Sequence, residues 1–235
     1  MALIPFKTAR LSSLVIMTLM SLSPIAWGQS TTEMAVLKMY YPEKDLVVSA
    51  TRHPKSISHA AENISVITAE EIEEMNAHTV AEVLRRIPGL YINFSQDFGA
   101  PSLLSIQGSE DRHVLVILDG VPWNFLSSGA AETNSIPVGI IDRIEVIKGP
   151  ASSSWGSSLG GVVNIITKQT GKADNYDGSI QASYGRDDTQ EQRVETTGAT
   201  GPLSFYFAAG HQESDGLRDS RYFENNSFYG KLGFP

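Results

Sequence analysis

The sequence predicts an α+β domain followed by the opening antiparallel strands of a transmembrane β-barrel. Three observations carry that fold class. Residues 60–168 interleave short strands with two short capped helices. After Lys168 the texture changes to alternation of apolar and polar side chains. The links between those alternating runs are unequal, since Gly201-Pro202 is tight whereas Gln212 to Glu224 is long and polar. The alternating residues alone fit a soluble antiparallel sheet equally well.

The first 28 residues read as a cleaved secretory signal. Lys7 and Arg10 supply a positive start, Leu11 to Ala26 an apolar stretch, and Ala26-Trp27-Gly28 a small-x-small cleavage site. Residues 29–59 form an N-terminal arm whose apolar run, Asp45-Leu46-Val47-Val48-Ser49-Ala50, has strand propensity. The folded part opens with Ile64-Ser65-Val66-Ile67, and Thr68 with Glu71 makes a T-x-x-E capping box for a helix carrying Ile72 and Met75 on one face. A second box, Thr79 with Glu82, starts a helix with Val80, Val83, Leu84 and Ile87 on one stripe, and Pro88-Gly89 stops it.

Strands follow. Tyr91 to Phe94 and Leu104 to Gln107 alternate, and His113 to Leu118 is a continuous apolar run closed by the turn pair Asp119-Gly120. Arg143 to Lys148 and Gly161 to Thr167 complete the α+β domain. Beyond Lys168, Ile180, Ala182 and Tyr184 alternate with Gln181 and Ser183. Leu203, Phe205, Phe207 and Ala209 share a face, as do Phe228, Leu232 and Phe234.

Composition narrows the function class. Eighteen Lys plus Arg against 26 Asp plus Glu give a net charge of −8, which argues against non-specific nucleic-acid binding. The absence of cysteine removes disulfides, thiolate metal sites and thiol nucleophiles together. The five histidines, at 53, 59, 78, 113 and 211, lack ligand spacing, and Glu213, Asp215 and Asp219 read as a solvated loop. No catalytic pair and no phosphate-binding glycine loop is visible, so neither an enzyme nor a cofactor or metal site is expected.

Three segments carry a resemblance to a known family. They are Ala81-Glu82-Val83-Leu84-Arg85-Arg86-Ile87-Pro88-Gly89-Leu90; Ser105-Ile106-Gln107-Gly108 followed by Val114 to Pro122; and Ile141 to Pro150 followed by Trp155-Gly156-Ser157 and Gly160 to Thr167. In this order they resemble the plug domain of TonB-dependent outer-membrane receptors. Gln107 stands where that family usually has Arg, which keeps hydrogen bonding but loses the guanidinium fork. The resemblance implies a plug at 60–168 and the first roughly four barrel strands at 169–235. It implies an outer-membrane location and uptake of a scarce ligand such as a ferric siderophore or cobalamin. It also implies that periplasmic TonB, energised from the inner membrane, is the partner.

Under the same resemblance Asp45, Leu46, Val47, Val48, Ser49 and Ala50 correspond to the TonB box, an extended segment able to add a strand to a partner's sheet edge. Ligand contacts are expected from apical loops. Phe98, Trp123 and Phe125 would stack on a planar or greasy ligand, and Gln96, Asp97 and Asn124 would orient it. Arg143, Glu145 and Lys148 alternate with apolar neighbours and read either as a charged seam against a barrel wall or as a solvated strand face. A 22-strand barrel needs over about 200 residues in strands, so the chain is expected to be cut short and unable to transport alone. The alternative is a soluble periplasmic module, plug-like, that binds a ligand or partner.

Overall fold

The computed structural model describes residues 63–94, 101–151, 155–156, 158–172, 175–216 and 222–234, with the short pieces 36, 39–40, 46–47 and 55–56. The expected signal segment, Gln96, Asp97 and Phe98, and Asp45, Val48, Ser49 and Ala50 lie outside the described residues.

In chain order the strands are β1 (Leu46–Val47), β2 (Lys55–Ser56) and β3 (Asn63–Thr68). Two helices follow, α1 (Ala69–Glu74) and α2 (Val80–Leu84). Next come β4 (Leu90–Phe94), β5 (Ser102–Ile106), β6 (Val114–Leu118), β7 (Val121–Pro122), β8 (Ile141–Lys148) and β9 (Gly161–Thr167). The last four are β10 (Asp177–Tyr184), β11 (Gln190–Thr200), β12 (Leu203–Ser214) and β13 (Phe223–Gly233).

Thr68 caps α1 in both directions. Its hydroxyl accepts from Glu71 N at 3.3 Å, and its own N–H donates to Glu71 Oε2 at 2.9 Å. At α2 the box is half made. Thr79 Oγ1 accepts from Glu82 N, but the Glu82 carboxylate turns back to the N–H of His78 at 2.7 Å. That choice fixes the elbow between the helices. α2 ends at Leu84, earlier than the apolar stripe suggests, because Ile87 N–H closes a turn onto Leu84 O before Pro88. The four stripe residues Val80, Val83, Leu84 and Ile87 are all buried.

The domain is organised by a five-stranded sheet in the order β3-β8-β9-β6-β7, with β6 and β9 parallel and the other pairs antiparallel. Register places Ile67, Ile144, Ile165 and Leu118 in one row and Val146, Val163 and Val116 in the next, all on the face that packs the helices and the β4–β5 pair. A fully buried aliphatic side chain in such a core stabilises by roughly 1.5–3 kcal/mol. The opposite face carries a second cluster of Ile117, Ile147, Ala151 and Val162, with Ile64, Leu115 and Trp155 against it.

Arg143 and Glu145 sit on that second face, in line with Thr68 and Val66 of β3. Both are buried, and Arg143 Nε donates to Glu145 Oε1 at 2.9 Å. They therefore do not form a solvated strand face. A bulge between Ile141 and Arg143 brings Asp142 Oδ2 to 3.0 Å from Arg143 Nη1, so two carboxylates share the guanidinium.

Gly161 explains one of the recurrent glycines of its motif. Its φ is +145°, and a Cβ there would lie 2.3 Å from Ile147 O and 2.9 Å from Ile106 Cδ1. Only glycine lets β9 start against β8 at that point.

The chain then forms an antiparallel meander, β10-β11-β12-β13. Its outward face exposes Ile180, Val194, Phe207, Phe228 and Leu232, while the inward face turns Tyr206 into the domain core. β11 is the strand that periodicity misses. Its one large apolar side chain is Val194, and Glu191, Arg193 and Glu195 occupy alternate, inward positions. Among the described residues the meander is open and no helix is long and apolar enough to cross a membrane.

Candidate functional site

Two places in the molecule concentrate chemistry: the loop after β7, and the contact between the α+β domain and the meander. The loop begins at the Asp119-Gly120 turn, where both residues have positive φ (46° and 84°), the geometry of a tight two-residue hairpin. Trp123 N–H donates to Val116 O at 2.8 Å, and Phe125 N–H to Ala130 O at 2.8 Å, which closes the loop on itself. Trp123 Nε1 donates to Glu132 O at 3.1 Å, leaving the indole face partly exposed. Phe125 and Leu126 project into solvent at the tip. They present an apolar platform with no buried charge.

Asn124 has a different role from the expected one. Its Oδ1 accepts from Val116 N at 2.9 Å, and its Nδ2 donates to Val114 O at 2.8 Å and Gly129 O at 2.6 Å. The amide is spent on holding the loop to β6, so it positions Trp123 and Phe125 instead of reaching outward.

The arm segment also departs from expectation. Leu46 and Val47 pair antiparallel with Ser56 and Lys55, and Val47 is fully buried. These two residues are extended, as their composition suggests, but docked. Burial of the Val side chain together with a two-residue ladder outweighs the chain entropy of a free segment there.

Three polar clusters tie the domain to the meander. At the helix elbow, His78 Nδ1 lies 2.5 Å from Glu191 Oε2, Arg193 Nε pairs with Glu191 Oε1 at 2.9 Å, and Gln212 Nε2 donates to both His78 O and Glu191 Oε1. In the middle, Glu195 accepts from Lys168 Nζ at 2.9 Å, Tyr206 OH at 2.8 Å and Ser179 Oγ at 3.0 Å. At the hairpin turn, Asp119 accepts from Thr167 N at 2.9 Å, Thr167 Oγ1 at 2.5 Å and Tyr229 OH at 2.7 Å, with Lys231 Nζ at 3.2 Å. Burial alone would raise the Asp119 carboxyl, but the donated hydrogen bonds and the Lys231 charge outweigh it and hold its pKa below the ordinary 3.8. The hydrogen bond to Glu191 raises the His78 imidazole above its ordinary 6.5, against an opposing burial effect.

A sheet that is apolar outside, charged inside and bonded through that inner face to an α+β domain has the architecture of a wall around a plug. Residues 56–162 match the family described as TonB-dependent Receptor Plug Domain. The chain carries a TonB-dependent receptor plug domain. It is 31% identical over 199 residues to the vitamin B12 transporter BtuB of Vibrio vulnificus (strain YJ016), covering 80% of this chain and 32% of that protein. It is 33% identical over 175 residues to the vitamin B12 transporter BtuB of Vibrio cholerae serotype O1 (strain M66-2), covering 74% and 28%. Among solved structures it is similar to the pyoverdine outer membrane receptor FpvA from Pseudomonas aeruginosa PAO1, with TM-score 0.71, 22% identity, and 80% and 27% of the two chains covered. It is also similar to the alcaligin receptor FauA from Bordetella pertussis, with TM-score 0.65, 19% identity, and 80% and 32% covered. The chain thus spans between about a quarter and a third of the length of the proteins it matches.

The residues that join the plug to the wall carry uneven local signals. Glu191, Arg193 and Glu195 show a signal in retrospect, because charges at every second position mark one face of a strand. His78 and Asp119 show none, since their partners are 113 and 110 residues away. Gln107 has φ +52°; its N–H donates to Gly89 O at 2.7 Å and its side chain is exposed on the plug.

Proposed function

We propose that the chain forms the plug and first wall strands of an outer-membrane transporter that takes up a scarce ligand of the ferric-siderophore or cobalamin type. One observation carries this reading. The meander is apolar outside and binds the plug through charged inner positions, which is the partition a lipid-facing wall requires. The B12 transporter relatives and siderophore-receptor folds support the same class of substrate.

Under this reading Trp123 and Phe125, held by Asn124, contribute apolar contact to the ligand together with Phe98 from the preceding loop, and Gln96 and Asp97 of that loop orient it. The segment Asp45, Leu46, Val47, Val48, Ser49 and Ala50 receives the pull of TonB. Val47 must first leave its burial site opposite Lys55 before the strand can pair with a partner. Export by the N-terminal signal delivers the chain to the periplasm, and its barrel strands carry it into the outer membrane. No covalent chemistry is needed, because the plug has only to bind ligand and TonB differently in its two states.

The test joins location to uptake. Heat-modifiable migration in the outer-membrane fraction is expected, and a periplasmic monomer would point instead to a soluble plug-like module. In cells producing the intact transporter that carries this plug, Val47→Pro should abolish uptake of radiolabelled cyanocobalamin or ferric siderophore while surface binding persists. Trp123→Ala and Phe125→Ala should each weaken that binding by about tenfold, the size of one lost aromatic contact. Undiminished uptake by Val47→Pro refutes the coupling role.

A further inference from the structure

The exposed loop that carries Trp123 and Phe125 is fastened at both ends. Asn124 ties its entry to β6. Glu132 ties its exit to β5, because its half-buried carboxylate accepts from Ser102 N at 2.8 Å, Ser102 Oγ at 3.1 Å and Asn134 N at 2.8 Å. Those donors are neutral, two backbone amides and a hydroxyl. Ser102 Oγ also lies 2.7 Å from Thr133 Oγ1, and both of these residues are fully buried. The anchor is firm because β5 is. Leu104 and Ile106, on the same side of that strand as Ser102, belong to the plug core, and Ser102 pairs with Phe94 of β4.

The same residue grips the indole. Trp123 Nε1 donates to the Glu132 carbonyl oxygen at 3.1 Å, and Ser135 Oγ donates to that oxygen at 3.0 Å. Glu132 thus holds a buried strand with its carboxylate and an exposed aromatic ring with its carbonyl. Ser102 is also the first strand residue after the segment with Gln96, Asp97 and Phe98. One side chain therefore links the exit of one proposed ligand loop to the base of the other. A ring held in place before the ligand arrives has less freedom to lose on binding, so the hold contributes affinity without a new contact.

We propose that Glu132 is a positioning residue for ligand capture: anchored on Ser102, it sets the place of the Trp123 indole and acts through that ring. The role rests on the ligand contact of Trp123 proposed above. Glutamine at 132 tests it, since it has the same size but one oxygen. Ser102 N and Asn134 N donate to different carboxylate oxygens, so in the variant one of these amides faces an NH₂ donor and its bond is lost.

Binding is measured on the intact transporter that carries this plug, with radiolabelled cyanocobalamin and a ferric siderophore as probes. Glu132→Gln should weaken it about fivefold, less than the roughly tenfold of Trp123→Ala, because the ring remains but is no longer held. The double variant should bind as Trp123→Ala does, about tenfold below the parent, and not at the roughly fiftyfold that independent effects give. The full product, or unchanged binding by Glu132→Gln, overturns the role. A second readout needs no ligand. With 5-fluorotryptophan incorporated, the fluorine resonance of Trp123, identified by its loss in Trp123→Phe, should move in Glu132→Gln while that of Trp155, which packs in the other cluster, stays. An unmoved Trp123 resonance overturns the role. If neither probe binds the parent yet the resonance moves, the ligand reading fails and the hold on the indole stands. If Glu132→Gln does not fold, Ser102→Ala takes its place, since it removes one donor from the same carboxylate. The Trp123 resonance must then move in that variant, and a resonance that stays overturns the role.

Discussion

Asp119→Asn isolates the charge that binds the plug's hairpin turn to the wall. Asparagine has the same shape and tolerates the left-handed conformation that Asp119 adopts at φ +46°, so the turn itself is preserved. What changes is the acceptor. The carboxylate takes hydrogen bonds from Thr167 N, Thr167 Oγ1 and Tyr229 OH and faces Lys231 at 3.2 Å. Hydrogen bonds to a charged group are worth ~1.5–3 kcal/mol each when intact. Asparagine keeps one acceptor oxygen, and the Lys231 contact is partly screened, so the net loss should be about 2–3 kcal/mol.

The readout is hydrogen exchange at the Thr167 amide, which donates directly to Asp119. A loss of about 2 kcal/mol lowers its protection about thirtyfold. The pH dependence gives a second signature. Because the folded pKa lies below 3.8, the stabilisation is complete above the unfolded value and disappears as pH falls through the folded one. The parent should therefore lose Thr167 protection in acid, relative to Asp119→Asn, and the two should converge at low pH. Protection that is the same in both proteins at neutral pH, within twofold, would refute this role of the Asp119 charge.

Two further outcomes follow from the plug core. Gly161→Ala should prevent β9 from docking, at a cost above about 3 kcal/mol, because its Cβ meets the backbone oxygen of Ile147 and not a flexible side chain; an unchanged melting temperature would contradict this. Glu145→Ala leaves the buried Arg143 with its Asp142 contact but without its nearer carboxylate, and should destabilise the plug by about 3–5 kcal/mol in chemical denaturation. A loss below about 1 kcal/mol would mean that Arg143 is resolvated.

The amino-acid sequence by itself determined the order of the elements and the faces they bury. Local rules sufficed for this. Thr68 with Glu71 starts α1, the stripe from Val80 to Ile87 buries α2, and the period-two runs after Lys168 separate each strand into two faces, of which the structure exposes the one with Phe207 and Phe228. The family match spans residues 56–162 and takes in most of the three motif segments. Local pattern failed where a residue's partner is remote. Asn124 reads as a free polar side chain until β6 lies beneath it, and Val47 as a free arm until Lys55 lies opposite. Arg143 and Glu145 read equally as a charged seam or a solvated face until their burial removes the second reading.

Only the tertiary structure decided how plug and wall are joined. His78 with Glu191, Asp119 with Tyr229 and Lys168 with Glu195 are charges whose neighbours lie on other strands, and their chemistry exists only once the meander has closed over the domain. Hydrophobic burial is legible in sequence because it acts through the period of each element, whichever surface covers it. A specific polar contact depends on distance and direction, and those are properties of the assembled fold.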